Sequence, residues 1–304
     1  MLELFEYTAT QKTLSIAGVR IGGIPGMIPT VVIPSIFYSK DRLVLNAEIG
    51  DIDRIKTEET LSMLKDLSVR TGLSTMLDVV ASSPKAMKEY LTYLVDNSDF
   101  PLLIDGSGDA AVNSAGILAA RENGFIDRVI LNSLTPDTKE PVLHAIKETG
   151  LQNLLLLTFS TAALISVTKR VELADGLIQK AQKLGISNIL VDTGVMDLPT
   201  LGIACKAQMV IKDKYGYPVG NGAHNAISTW SGLVPKFGKD AKTHALVGSS
   251  LMPVVLGADF VLVGPAKHAP IIYPTVAMID TVLAGSLMES RMRPEKPHPR
   301  YLIG

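Results

Sequence analysis

PLLIDGSGDAAVNSAGILAARENGFIDRVILN, residues 101–132, holds one full repeat of the pattern that governs the chain. The run PLLID (101–105) is short and apolar and ends on an acid. AAVNSAGILAAREN (110–123) then places small and apolar residues at helical spacing, and Gly124 follows where a left-handed C-cap is wanted. DRVILN (127–132) is again a strand-like run, and it ends on an amide. Strand, helix and strand within about 30 residues mark a βαβ unit, whose strands pair in parallel.

Outward from this repeat the same alternation continues. Further apolar runs are TVVIPSI (30–36), TMLDVV (75–80), NLLLLT (153–158), SNILVD (187–192), PVGN (218–221) and DFVLVG (259–264). Helix patterns lie between them at PKAMKEYLTYLV (84–95), KEPVLHAIKET (139–149) and KRVELADGLIQKAQKL (169–184). The last carries an apolar stripe of Val171, Leu173, Ala174, Leu177, Ile178, Ala181 and Leu184. Gly150 and Gly185 stand just past two of these patterns, as Gly124 does. Strand starts at 101, 127 and 153 are 26 residues apart. Eight such units predict a closed (β/α)8 TIM barrel rather than an open sheet, and near-continuous apolar strands fit burial on both faces. The seventh unit, PVGN, is the weakest.

One domain is expected: an N-terminal hairpin in 1–29, a barrel over 30–290 and an arm over 291–304. FEYTATQKTLSIAG (5–18) reads as a hairpin turning near Thr10–Lys12 and covering the barrel floor. GVRIGGIPG (18–26) precedes the first barrel strand and reads as turn chemistry. The tail RMRPEKPHPRYLIG is Pro-rich and basic, a packed or dimer-contacting arm.

Composition narrows the classes. The 304 residues are 47% apolar and 19% charged, enough to bury a large core. Lys plus Arg (29) nearly cancels Asp plus Glu (30), so there is no electrostatic reason to bind nucleic acid or an anionic membrane. One cysteine, Cys205, excludes an internal disulfide framework and Cys-rich metal sites. MLELFEYTATQK has neither the basic nor the apolar region of a signal peptide. LQNLLLLTFSTAALISVT (151–168) is uncharged and near the length of a membrane span, but its Gln, Asn, Ser and Thr make it a buried strand followed by a polar loop. A cytoplasmic protein with no membrane insertion is expected.

In such barrels function sits at the carboxyl ends of the strands. The polar residues that interrupt the apolar runs there are Asp78, Asp105, Asn132, Thr158, Asp192, Asn221 and Asn225. Positions 78, 105 and 132 are 27 residues apart, which places them equivalently on three adjacent strands. Short acids and amides converging among apolar walls suit a flat heterocycle with adjacent N–H groups and a carbonyl. Taken singly, each residue also fits a strand-end cap or an Asx turn. The small residues of DGSGD (105–109), Ser107 among them, let a ligand approach the backbone, and a tight βα turn has the same sequence. Other chemistries lack their residues. No Lys interrupts a strand; Lys267, just after the eighth, either contacts an anionic group or lies exposed. The five histidines show no HExxH or HxH spacing, so no protein-held metal is expected. Gly220-Asn-Gly222 lacks the third glycine of a dinucleotide fingerprint.

GGIPGMIPTVVIPSIFY (22–38), MLDVVASSPKAM (76–87), FPLLIDGS (100–107), RVILNSL (128–134), ILVDTGVMDLP (189–199) and GNGAHNAIS (220–228) together resemble, in order, the H-subunit family of tetrahydromethanopterin S-methyltransferase. The chain looks most like the bacterial members that act as methylcorrinoid:tetrahydrofolate methyltransferases in glycine betaine demethylation. The resemblance implies a pterin-binding barrel. Asp105 and Asn132 match residues that hold the pterin's amino-pyrimidine edge, and Asp192 matches a second pterin-binding carboxylate. Asn225 matches the catalytic amide beside N5, while Asp78 is a supporting residue and Asn221 and Asp197 are further candidates. It implies that N5 of tetrahydrofolate takes the methyl from methylcob(III)alamin, leaving cob(I)alamin, with the corrinoid carried by a separate protein docked at the barrel mouth and the enzyme a homodimer. The segment SKDRLVLNAEIGDIDR (39–54) departs from the archaeal pattern at a place able to affect the pterin tail or the partner surface, which leaves folate against methanopterin open. The alternatives are a tetrahydromethanopterin-dependent member of the same family, a non-catalytic pterin-binding accessory subunit, and a dihydropteroate synthase. The last would need basic residues at the seventh and eighth strands, where only Lys267 is found.

Overall fold

Strands buried on both faces satisfy their backbones only through one another, and here they do so by closing into a ring. The computed structural model describes residues 4–303; residues 1–3 of the expected N-terminal segment and residue 304 of the expected arm lie outside the described residues. A hairpin of β1 (Thr13–Ile16) and β2 (Val19–Gly22) comes first, then barrel strand β3 (Val31–Ile36) and a small ribbon of β4 (Val44–Asn46) and β5 (Asp51–Ile52). Helix α1 (Arg54–Thr71) leads to β6 (Leu77–Val80), α2 (Pro84–Asn97), β7 (Leu102–Asp105), α3 (Ala110–Glu122), β8 (Val129–Leu134), α4 (Glu140–Thr149) and β9 (Asn153–Leu157). The remaining units are α5 (Val167–Lys183), β10 (Asn188–Asp192), α6 (Leu198–Tyr215), β11 (Val219–Asn221), the short α7 (His224–Ser228) and α8 (Leu233–Phe237), α9 (Asp240–Val255), β12 (Phe260–Pro265) and α10 (Ala269–Leu287).

The closed sheet runs β3-β6-β7-β8-β9-β10-β11-β12 and returns to β3, every pair parallel. All eight expected strands are present, and β11 is the shortest at three residues. The stretch 151–168 forms β9, a loop and the start of α5, as its polar residues suggest. Another stretch, Ala266–Leu287, is long and apolar enough to cross a membrane. Its helix α10 packs against α1 and α9, and its buried Asp280 accepts the Thr30 N–H at 2.7 Å and the Thr30 hydroxyl at 2.8 Å.

The barrel interior is filled by Val31, Ile33, Met76, Leu103, Ile130, Leu155, Leu190 and Phe260, and the hairpin adds Ile16 and Ile21 to the same cluster. The hairpin therefore stoppers the floor. Its turn is not at Thr10–Lys12 but at Ala17–Gly18, with φ of 44° and 84°. Two positive φ values are what a two-residue turn between twisted strands requires. Residues 8–12 instead run along the end of α6, where the Ala9 N–H bonds the Asp213 carbonyl and the Lys12 N–H the Gly216 carbonyl. The C-terminal arm packs on α10 and buries His298 and Pro299.

Below the barrel, Lys212 of α6 is buried and donates to both carboxylate oxygens of Asp259 at 2.8 Å and to the Gly23 carbonyl at 3.0 Å. Asp259 also accepts the Val219 N–H at 2.8 Å, so the pair ties α6, β11 and the post-hairpin turn together. Removing one partner strands a buried charge. Lys212→Met is expected to cost about 3–5 kcal/mol in urea unfolding; an unchanged midpoint would show that the pair carries no structural weight.

Candidate functional site

Parallel strands all end on the same rim, and there the side chains open onto a cavity of about 540 Å³. Asp78, Asp105, Asn132, Asp192 and Asn225 all line it. Asp78, on β6, is buried and bonded on both oxygens: the Ser35 hydroxyl of β3 donates at 2.6 Å and the Asn132 amide of β8 at 2.9 Å. One N–H of the Asn132 amide is spent on Asp78, and its carbonyl oxygen, which has no hydrogen-bond partner among the described residues, can accept from a ligand. The register of β8 shifts between Asn132 and Leu134, and that of β12 between Leu262 and Gly264; both irregularities border the cavity and re-aim side chains there.

Asp105 and Asp192 share one device. Oδ1 of Asp105 accepts the Ser107 N–H at 2.7 Å, and Oδ1 of Asp192 accepts the Gly194 N–H at 2.6 Å. Each carboxylate is thus an Asx turn through one oxygen, while its second oxygen has no hydrogen-bond partner among the described residues. Turn residue and ligand residue are the same residue. Burial pushes Asp105 up to about 7, with the charge of Asp78 adding to the rise and the Ser107 N–H opposing it. Burial likewise raises Asp192 to about 6, against the Gly194 N–H and the positive charge of Arg170. Asp78 too is raised by burial, against its two donors.

Arg170 stands behind Asp192. It is fully buried on the first turns of α5 and donates to the Ala163 and Leu164 carbonyls at 3.0 Å, and to the carbonyls of Thr193 and Gly194. It locks the loop after β9 to the loop that carries the Asp192 turn. The apolar walls are Val80, Leu157, Phe159, Val195, Leu262 and Pro265. Asn225 is half-buried in the first turn of α7, and its side-chain amide has no protein partner among the described residues. Beside it His224 bonds the Leu262 carbonyl through Nδ1 at 3.0 Å, and burial holds its pKa below the usual imidazole value. Gly264, at φ 67°, lies against that ring; a Cβ there would come within 2.5 Å of His224 Cδ2.

Four other sequence candidates lie elsewhere. Asn221 faces outward from β11, where its amide donates to Gln208 of α6 at 3.1 Å. Asp197 caps α6 in a capping box with Thr200, whose N–H and hydroxyl hold its carboxyl below the ordinary range. Ser107 is exposed and lines an adjoining cavity of about 430 Å³. Thr158 is buried and donates to the Asp192 carbonyl at 3.2 Å. Ser35, Tyr38 and His224 lie within the stretches 22–38 and 220–228 but are not singled out there, and Phe159 and Arg170 have no motif in the sequence to announce them.

The resulting site is rich in acceptors, free of Lys and Arg at its lining, and walled by flat apolar surfaces. It suits a planar ligand edged with N–H donors. Residues 9–293 match the family model described as the tetrahydromethanopterin S-methyltransferase MtrH subunit. The tetrahydromethanopterin S-methyltransferase H subunit of Methanothermobacter thermautotrophicus is 33% identical, over 99% of this chain and all of that protein. The H subunit of a putative mtx methyltransferase of Methanosarcina barkeri is 30% identical over the same share of this chain and all of its own length. Among solved structures, dihydropteroate synthase from Xanthomonas albilineans in complex with 7,8-dihydropteroate superposes with a TM-score of 0.59 at 14% identity, covering 90% of this chain and 98% of that one. It shares the barrel fold.

A carboxyl whose pKa is raised on folding destabilises the folded state once ionised: the penalty is absent at pH values below the unfolded pKa and complete above the folded one. Asp192→Asn keeps an acceptor for the Gly194 N–H and removes the charge. The variant is expected to be more stable than the parent at pH 8, by on the order of 1–3 kcal/mol, with the difference shrinking to nothing near pH 3–4. Thermal melts of both proteins across that range measure it, and a pH-independent difference would refute the assignment of strain to the Asp192 charge.

Proposed function

The chain belongs to the tetrahydromethanopterin S-methyltransferase MtrH subunit family, and on that premise we propose that it moves a methyl group between a corrinoid carried by a separate protein and N5 of tetrahydrofolate. The observation that carries this reading is the convergence of Asp105, Asn132, Asp192 and Asn225 on one acceptor-rich cavity. Each free carboxylate oxygen accepts an N–H from the pyrimidine edge, and the Asn132 carbonyl accepts another. That a structural neighbour at 14% identity holds 7,8-dihydropteroate is in keeping with a pterin on this kind of barrel. Asp78 acts through Asn132, as a positioning residue.

The corrinoid supplies the methyl–cobalt bond and the electronic part of the reaction. This chain's residues hold the nucleophile and exclude solvent from its ring faces. Asn225 is suited to N5 because a neutral amide can turn to donate or to accept, as N5 changes from a secondary to a tertiary amine. The reading includes docking of the corrinoid protein over the rim, the homodimer and cytoplasmic location expected from the sequence, and a place in glycine betaine demethylation. A tetrahydromethanopterin-dependent activity is the second reading, favoured by the names of the curated relatives.

The first experiment is anaerobic: the protein with methylcob(III)alamin and either tetrahydrofolate or tetrahydromethanopterin, followed by the cob(I)alamin spectrum. Cob(I)alamin formed only with both protein and tetrahydrofolate is the expected result. Turnover with tetrahydromethanopterin alone would reassign the pterin, and binding without turnover even with a corrinoid protein supplied would make the chain an accessory subunit. Asn225→Ala is expected to lower kcat by roughly tenfold to a hundredfold with little change in pterin affinity; full turnover would release Asn225 from N5. Asp192→Asn is expected to weaken pterin binding by roughly tenfold or more. Affinity should also fall as pH is lowered from 8 to 5, because Asp105 (about 7) and Asp192 (about 6) gain protons and lose their charge-assisted contacts; a flat profile over that range would count against both.

A further inference from the structure

Tyr38 is the wall between the main cavity and a smaller one of about 140 Å³. The charges on the two sides are opposite. The main cavity presents Asp78, Asp105 and Asp192 and no Lys or Arg. The smaller presents Lys40 and Arg42 from the loop after β3 and Lys267 from the turn that follows β12, with Asp41 beside them. Asp41 is buried and spent on its own loop: its carboxylate accepts the Phe37 N–H at 2.8 Å and the Leu43 N–H at 3.3 Å. The three cations are exposed, and none makes a salt bridge among the described residues. The loop that carries two of them is held in shape: Phe37 and Lys40 sit at φ 62° and 67°, a costly region for residues with side chains, and Asp41 bonds the backbone on either side. The other adjoining cavity offers no such field, since its lining has one cation, Lys139, against two acids, Asp105 and Asp137.

A ligand with a donor-rich head and an anionic end has one orientation that satisfies both fields. We propose that the cavity beyond Tyr38 is an anion subsite in which Lys40, Arg42 and Lys267 receive a carboxylate or phosphate carried on the tail of the pterin whose head occupies the main cavity. The assignment rests on the pterin reading of the main cavity. Exposed cations in water attract an anion only modestly each, so the subsite tunes affinity and selects tails rather than carrying the binding.

The test is a set of anaerobic binding titrations of the wild type and of the Arg42→Gln/Lys267→Gln double variant. The ligands are 6-methyltetrahydropterin, which has no tail, tetrahydrofolate with one glutamate and with three, and tetrahydromethanopterin, whose tail also bears phosphate. The variant is expected to bind the tailless pterin as the wild type does and tetrahydrofolate roughly tenfold more weakly, with a larger loss for the triglutamate and a loss that shrinks in high salt. The larger of the losses for the triglutamate and for tetrahydromethanopterin identifies carboxylate or phosphate as the preferred anion. Equal affinity of wild type and variant for every tailed ligand would overturn the subsite while leaving the pterin head site standing. Failure of the wild type to bind even the tailless pterin would instead overturn the head site, and the subsite with it.

Discussion

Parallel pairing around a closed ring forces the carboxyl ends of eight strands onto one rim, and much else in this molecule answers to that. Side chains from different strands and levels meet there whether or not their charges agree. The even spacing of 78 and 105 does not make them equivalent, since Asp105 of β7 registers with Val80 of β6 and Asp78 lies deeper, and Asp192 comes from β10, a neighbour of neither. All three reach one cavity, each pushed toward its neutral form by burial, Asp105 and Asp192 further by the charge of Asp78. The fold tolerates them by giving every one a donor of its own: a hydroxyl and an amide for Asp78, a turn N–H for Asp105 and for Asp192. Arg170 completes the support from outside, with its guanidinium spent on loop carbonyls while its field reaches Asp192.

The strands and the spacing of the polar residues at their ends were legible because they follow from periodicity. Runs 26 residues apart become adjacent parallel strands, and Asp78, Asp105 and Asn132, at intervals of 27, end on the same cavity. Asn221 shows where that reasoning stops. In a three-residue strand the faces alternate, and Gly220 takes the inward position against Phe260, which turns Asn221 out toward Gln208. The hairpin turn escaped for a related reason: Thr10–Lys12 has the polarity of a turn, but Ala17–Gly18 has the geometry, and the polar residues found partners on α6. Arg170 was illegible in a different sense. A charged residue among the first turns of an amphipathic helix reads as solvated, and only the two loops folding over it supply the carbonyls that make its burial tolerable.

Two readings of the rim acids, turn former and ligand holder, looked like rivals in the sequence. They are not rivals in the structure, because a carboxylate has two oxygens. Anchoring one on the residue's own backbone fixes the rotamer of the other, so a ligand meets an acceptor that has no side-chain freedom left to lose. A longer acid could not make the same short turn. The choice of Asp over Glu at 105 and 192 follows from the length of that reach.

The hairpin's stopper has a consequence for traffic. With Ile16 and Ile21 closing the floor and a packed interior above them, the cavity opens at the rim and not through the floor. Whatever sits deepest among the rim acids must arrive before anything that covers the rim, and must wait for that cover to lift before it leaves. A ligand held among the rim acids and any larger body that covered the rim would therefore be obliged to queue, in an order set by the shape of the barrel.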